Sequence, residues 1–244
     1  MGKHELFGVK INAITISETL ELIDRRLSLR QFTQHAVINV AKVVNMQSDI
    51  KLRDSVINCD VINVDGMGCV WGGRLLGFDI PERVTGIDLF LCLIALSEQK
   101  NYPVFLLGSS TEVVMEVVCK LEDKHPQLKI VGHNHGFFWN DEEAVVKKIR
   151  DSGAKLLFVA ITSPKKENFI NKWKDDLGVD FVMGVGGTFD VIAGKVKRAP
   201  VWMQKSGMEW VYRIIQEPRR MWKRYLITNS KYIWLLFNEK IKFK

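Results

Sequence analysis

Long apolar runs are scarce in this sequence of 244 residues. The longest, Leu89–Leu96, falls far short of the roughly 20 residues a membrane-crossing helix needs and suits a buried helix instead. No apolar stretch follows Met1-Gly2-Lys3, so no signal peptide is expected. Leu6 stands where a myristoylation signal places Ser or Thr. Cysteine is sparse too. Cys59, Cys69, Cys92 and Cys119 make no Cys-x-x-Cys pair and no metal-ligand spacing, so they read as buried free thiols in a reducing compartment. His133-Asn134-His135 lies in a polar stretch without a nearby Cys or carboxylate cluster, and reads as surface rather than as a metal centre. The phosphate-binding Gly-x-x-x-x-Gly-Lys-Ser/Thr and the nucleophile-bearing Gly-x-Ser-x-Gly are both absent. Gly184-Val185-Gly186-Gly187 lacks the third glycine of a dinucleotide fingerprint.

What is present is enough to build a sizeable core: 47% of residues are hydrophobic and 26% charged, which argues against disorder. Short apolar, β-branched runs alternate with stretches of helical spacing, with no repeat or low-complexity segment. Strands are expected within Leu6–Ile16, His35–Asn39, Val61–Val64, Tyr102–Leu107, Leu128–Val131, Lys155–Ile161 and Val179–Met183. Helices follow them, capped by Ser17 near the start and by a Thr85-x-x-Asp88 box later. Further helices run to about Arg53, from Thr111 to Lys124, over the charged segment Asp141–Asp151, and after Pro164. This pattern predicts an α/β fold, a mostly parallel Rossmann-like sheet with helices on both faces.

Charge divides the chain. Residues 195–244 hold 13 Lys and Arg against 3 Glu, with four of the seven Trp and three of the four Tyr, whereas residues 1–194 are slightly acidic. The boundary falls near Lys195: an α/β core over 1–194 and a basic, aromatic helical appendage over 195–244.

In a parallel sheet the carboxyl ends of the strands gather on one edge, where ligands bind. That edge would carry Asn39, Asp65, Gly108-Ser109-Ser110, Thr162-Ser163 and Gly186-Gly187, small or polar residues that let a backbone approach phosphates. Asp65 ends the buried run Val61–Val64 just before a helix. It is either that helix's N-cap or a functional carboxylate. There is no Asp-x-Asp to hold a divalent cation on a diphosphate. The chemistry left is one carboxylate that takes a proton from a hydroxyl nucleophile. Guanidinium and backbone N–H groups would stabilise a departing diphosphate; Arg83 and the tail arginines are the candidates.

Residues 64–90, VDGMGCVWGGRLLGFDIPERVTGIDLF, and 184–226, GVGGTFDVIAGKVKRAPVWMQKSGMEWVYRIIQEPRRMWKRYL, resemble the two signature blocks of the bacterial WecG/TagA/CpsF glycosyltransferases. YPVFLLGSS and TSPKKENFINKW fit the blocks between them. The resemblance implies an inverting, metal-independent transferase without a cofactor. Its members move N-acetylmannosamine, its uronic acid or glucose from a UDP-sugar to an undecaprenyl-diphosphate-linked acceptor. The products are cell-wall and surface polysaccharides, made at the cytoplasmic face of the membrane, and the resemblance leaves room for a homo-oligomer, a dimer or a trimer. By this pattern Asp65 is the general base. Asn39, Arg83, Thr85, Gly108, Ser109, Lys166, Gly186 and Gly187 bind substrate, joined by Arg213, Arg220 and Arg224 of the appendage. Two positions depart from the family: Val37 stands where Thr is usual, and Lys166 where Gln is usual.

The appendage has three readings. Val201–Gln216 is amphipathic, and Pro218 opens a second helix on which Arg220 and Arg224 share a face. Apolar and basic residues interleaved in this way suit an anionic lipid interface, simple packing on the core, or a nucleic-acid surface. The last gives Asp65 nothing to do, so no nucleic-acid partner is expected. Against the transferase stands a catalytically silent module that binds a nucleotide sugar or a membrane, which the departures at Val37 and Lys166 would fit.

Overall fold

The computed structural model describes residues 3–242, without the side chains of Lys3, His4, Arg220 and Lys242. An antiparallel hairpin opens the chain: β1 (Lys3–Leu6) and β2 (Val9–Asn12), turning at Phe7-Gly8, both at positive φ. Helix α1 (Ile16–Ser28) starts at Thr15 rather than Ser17, because Thr15 and Glu18 close a reciprocal capping box.

Six strands form one sheet, parallel throughout: β3 (Thr33–Ile38), β4 (Val61–Val64), β5 (Val104–Gly108), β6 (Ile130–Asn134), β7 (Leu156–Ala160) and β8 (Phe181–Gly184). Their order is β4-β3-β8-β7-β5-β6. Every residue of β3, β4, β5 and β7 is buried, as expected when helices cover both faces. The α/β reading holds. The crossovers are α2 (Val40–Met46) and α3 (Ile50–Ile57), then α4 (Met67–Leu75) and α5 (Gly86–Lys100), then α6 (Thr111–Lys124), α7 (Glu142–Asp151) and α8 (Lys165–Trp173). After β8 come α9 (Thr188–Ile192), α10 (Val201–Lys205), α11 (Glu209–Gln216) and α12 (Pro218–Lys242).

Local chemistry explains where these elements differ from expectation. The helix drawn to Arg53 breaks, because Asp49 accepts from Leu52 N–H and starts α3. The appendage helix breaks at Gly207, whose φ of 75° no β-carbon residue adopts readily. His133 and Asn134 belong to β6, not to a loop. Of the four free cysteines only Cys69 is fully buried, and Cys119 is exposed.

One apolar cluster packs Phe90, Phe158, Phe181 and Phe189 on one face of the sheet, and a second packs Phe105, Phe138, Phe169 and Val182 on the other. A third lies at the β4 edge, where Leu6, Ile38, Val64 and Cys69 meet Tyr232 of α12. Tyr232 lies edge-on to Phe7 at 5.5 Å, and its hydroxyl lies where a β-carbon on Gly72 would be. The appendage is therefore docked on the core through the side of α12 that carries Tyr232.

The turn after β5 is held tightly. Gly108 has φ 132°, and a β-carbon there would overlap the Ala160 carbonyl. Gly108→Ala should therefore lower the unfolding free energy by about 3 kcal/mol or more, read as a lower urea midpoint at unchanged slope.

Candidate active site

Asn39, Asp65, Gly108, Thr162 and Gly186 all lie at or just beyond the carboxyl ends of their strands, along one edge of the sheet. The Asp65 N–H donates to the Ile38 carbonyl at 2.7 Å, extending the β3–β4 ladder one step past the strand. Gly66, at φ 97°, then occupies the N-cap of α4, which has no side-chain cap. The capping reading of Asp65 is thus excluded. Its carboxylate accepts no hydrogen bond among the described residues. Burial pushes it above the usual carboxylate range, opposed by Arg83, Arg213 and Lys42 and reinforced by Glu209. A carboxylate held in this way is a better proton acceptor than one in water.

Cations reach Asp65 from the loop before α5 and from the appendage. Arg83 Nη1 meets Glu209 Oε2 at 3.1 Å, and Arg213 Nη2 meets Glu209 Oε1 at 3.1 Å. Glu209 therefore bridges a core arginine to an appendage arginine. Beside them Arg198 grips Asp88 with two bonds of 2.7 Å. Thr85 caps α5 by accepting from Asp88 N–H and donates to the same carboxylate at 2.5 Å. Only half of the expected box forms, because Arg198 takes the Asp88 side chain. Tyr225 of α12 stacks obliquely on Trp210 at 5.9 Å; burial pushes its hydroxyl up, and it senses Arg213, Arg224, Glu209 and Asp65. Arg224 is exposed on α12, and Arg220 lies one turn before it with its side chain outside the described set.

At the other end of the edge, Ser109 takes φ 55° and its hydroxyl donates to Asp190 of α9 at 3.2 Å. The Ser109 carbonyl accepts Gly136 N–H at 2.8 Å. Gly186, at φ 55°, has open space where a β-carbon would go, and Gly187 caps α9. Two turns of small residues thus flank a carboxylate, Asp190, suited to accepting bonds from sugar hydroxyls.

Residues 4–244 match the family model of the glycosyl transferase WecG/TagA/CpsF family. The chain belongs to that family. Over 241 residues it is 35% identical to the N-acetylglucosaminyldiphosphoundecaprenol N-acetyl-beta-D-mannosaminyltransferase of Bacillus subtilis (strain 168), covering 98% of this chain and 92% of that one. The protein of the same description from Bacillus spizizenii is 34% identical over 176 residues, 72% of this chain and 67% of its own length. The protein is a glycosyltransferase, and the silent-module reading is set aside.

Among the residues that the WecG/TagA/CpsF resemblance nominates, Lys166 lies apart from the open edge. It is buried on α8, with its stem against Gly184. Its Nζ and that of Lys42 both lie 2.8 Å from Glu167 Oε1. Burial, aided by Lys42, brings Lys166 down to about 8 from 10.5. Burial alone would raise Glu167, but the two ammonium groups outweigh it and hold it at about 2. Asn39 accepts from Lys42 N–H at 3.0 Å and so caps α2. Glu209, Tyr225 and Asp190 were not anticipated, Asp88 was expected only as a helix cap, and Arg198 only as one of the tail arginines. Of the pairings in the site, only Glu209–Arg213 and Thr85–Asp88 had a readable signal in their spacing along a helix.

The Lys166 shift has a consequence for stability. Above pH 8 the folded chain sheds that proton while the unfolded chain keeps it to about pH 10.5, so folding gains as pH rises through this window. From pH 7.5 to 10.5 the wild type should gain roughly 2–3 kcal/mol relative to Lys166→Met, measured by urea unfolding at each pH.

Proposed function

We propose that this WecG/TagA/CpsF transferase moves a hexose from a UDP-sugar to a sugar borne on a polyprenyl diphosphate, with inversion at the transferred carbon. The observation that carries it is Asp65: a half-buried carboxylate that accepts no hydrogen bond among the described residues, beside arginines from two parts of the chain. The printed activities of the Bacillus relatives favour N-acetylmannosamine as the sugar transferred and N-acetylglucosaminyl-diphosphoundecaprenol as acceptor.

In this reading Asp65 accepts the proton of the acceptor hydroxyl as its oxygen attacks the anomeric carbon. The bond from that carbon to the UDP oxygen breaks on the opposite face. Charge builds on the departing diphosphate, and Arg83, Arg213 and the neighbouring Arg224 stabilise it, as a divalent cation does in other transferases. The turns at Gly108-Ser109 and Gly186-Gly187 cradle the UDP, and Asp190 accepts from its ribose. Residues 1–194 form the catalytic core and 195–244 the appendage that completes the site. Asp65→Asn should lower kcat by about 10²–10⁴-fold, the usual size of a general-base contribution, while UDP binding measured by calorimetry is retained. Weakened UDP binding at normal turnover would reassign Asp65 to nucleotide binding.

The acceptor's lipid requires a membrane at hand, and no helix among the described residues is long and apolar enough to cross one. The side of α12 turned away from the core exposes Trp222, Leu226, Ile233, Trp234 and Phe237, and Lys223, Lys231 and Lys240 stand on the same helix, also exposed. Such a surface suits the anionic cytoplasmic leaflet. In vesicle sedimentation the chain should bind anionic vesicles more tightly than neutral ones. Added salt and the double change Trp234→Ala with Phe237→Ala should each weaken binding severalfold. Preference for single-stranded DNA over vesicles would favour the nucleic-acid reading.

A further inference from the structure

Behind Asp65 lies a set of buried charges that the transfer step does not use. Lys42 of α2 and Lys166 of α8 share one oxygen of Glu167, so the three groups together carry one excess positive charge inside the protein. Apolar side chains of similar volume would pack there at lower cost. Lys42 wraps the turn from β3 into α2: its Nζ donates to the Val37 carbonyl at 2.7 Å and its backbone N–H to the Asn39 side chain. Between these two acceptors sits Ile38, whose carbonyl receives the Asp65 N–H. A cavity of about 10 Å³, the room of one water, adjoins the charges. Gln34 Oε1 and His35 Nδ1, among its lining residues, have no hydrogen-bond partner among the described residues. Among the described residues no other carboxylate lies within ion-pair distance of Lys42.

We propose that Glu167 is a positioning residue for the Asp65 base: it clamps the Lys42 ammonium under the Val37 carbonyl, which fixes the turn carrying Asn39 and keeps a cation beneath Asp65. The role rests on the reading of Asp65 as the base. Asp65 is also faced by Arg83 from its loop, by Arg213 and Glu209 from α11, by Tyr225 from α12, by Arg198 ahead of α10 and by Cys69 on α4. Glu167 is faced by Lys42 from α2, by Lys166 beside it and by Cys59 at the end of α3, with His35 of β3 against Lys42. With Glu167 neutral, two ammonium groups are left inside the protein without an anion. Lys42 then leaves the carbonyl, which takes positive charge away from Asp65.

A carbon-13 titration of the Asp65 carboxyl in wild type and Glu167→Gln decides this. It is run beside kcat and KM measured with UDP-N-acetylmannosamine and a short-chain lipid diphosphate carrying N-acetylglucosamine. The Asp65 midpoint should rise by about one pH unit, and the acid limb of kcat should rise with it. At a pH on the acid limb, kcat should fall about tenfold, with the donor KM changed less than about twofold. If Glu167→Gln fails to fold, Glu167→Gln combined with Lys166→Met keeps the net charge of the set and is read in the same way. An unmoved Asp65 midpoint, with only a lower melting temperature, overturns the proposal and leaves Glu167 a packing residue. A midpoint that rises while the acid limb stays in place overturns it as well. If the midpoint rises but the wild type transfers no sugar from this donor to this acceptor, the link from Glu167 to Asp65 stands and the proposed donor and acceptor are what fail.

Discussion

A carboxylate taken out of water must be met by positive charge or take up a proton. Asp65, half-buried at the end of β4, is part-way into that position, and the cations that meet it are spread widely along the sequence. Arg83 comes from the loop after α4, Lys42 from the crossover before β4, and Arg213 from beyond the α/β core. The balance is held part-way: burial still keeps the group above its ordinary value. A fully compensated Asp65 would be a weaker base, and one without cations would hold its proton to higher pH. The proton affinity of Asp65 therefore depends on how the chain closes around it.

Closure rests on two contacts of different kinds. Tyr232 and its neighbours on α12 bury apolar surface against α4 and the first hairpin, and Gly72 makes room for the ring. That contact supplies docking energy and is insensitive to charge. The Glu209 bridge between Arg83 and Arg213 supplies direction, because a carboxylate shared by two guanidinium groups tolerates little displacement. Glu209 also keeps the two arginines from repelling each other. In the proposed reaction a departing diphosphate would compete with Glu209 for the same donors, and its stabilisation would be an exchange of one anion for another.

Much of the sheet was legible in the sequence because burial on both faces leaves a plain mark. Val61–Val64 is a continuous run of residues that pack well in strands, and β4 occupies those four positions. Strand ends are legible for the same reason: the run stops, and a polar or small residue follows, as at Asp65 and Gly108. Helix starts were less so, since Ser17 and Thr15 are both good caps and only the reciprocal bonds with Glu18 decide between them. The paired charges were the least legible. Glu209 is an ordinary surface acid until α11 folds back toward Arg83, and Arg198 has no partner in the sequence near it; Asp88 is 110 positions away. Charge pairs across such distances leave no periodicity to read.

Lys166 shows why position in a motif and position in space must be kept apart. Its place in the chain, just after Thr162-Ser163-Pro164, puts it beside the open edge, and a flexible amine there would bind an anion. Helix α8 instead turns it inward, where Gly184 offers a groove for its stem and Glu167 a partner for its charge. A neutral amide at that position would leave Glu167 with Lys42 alone, a balanced pair. The lysine makes the interior net positive, and because Lys166 titrates near 8 that excess persists at neutral pH and fades just above it. A buried charge this close to its own midpoint makes the net charge of this interior set sensitive to pH in a range where the arginines around the site do not titrate.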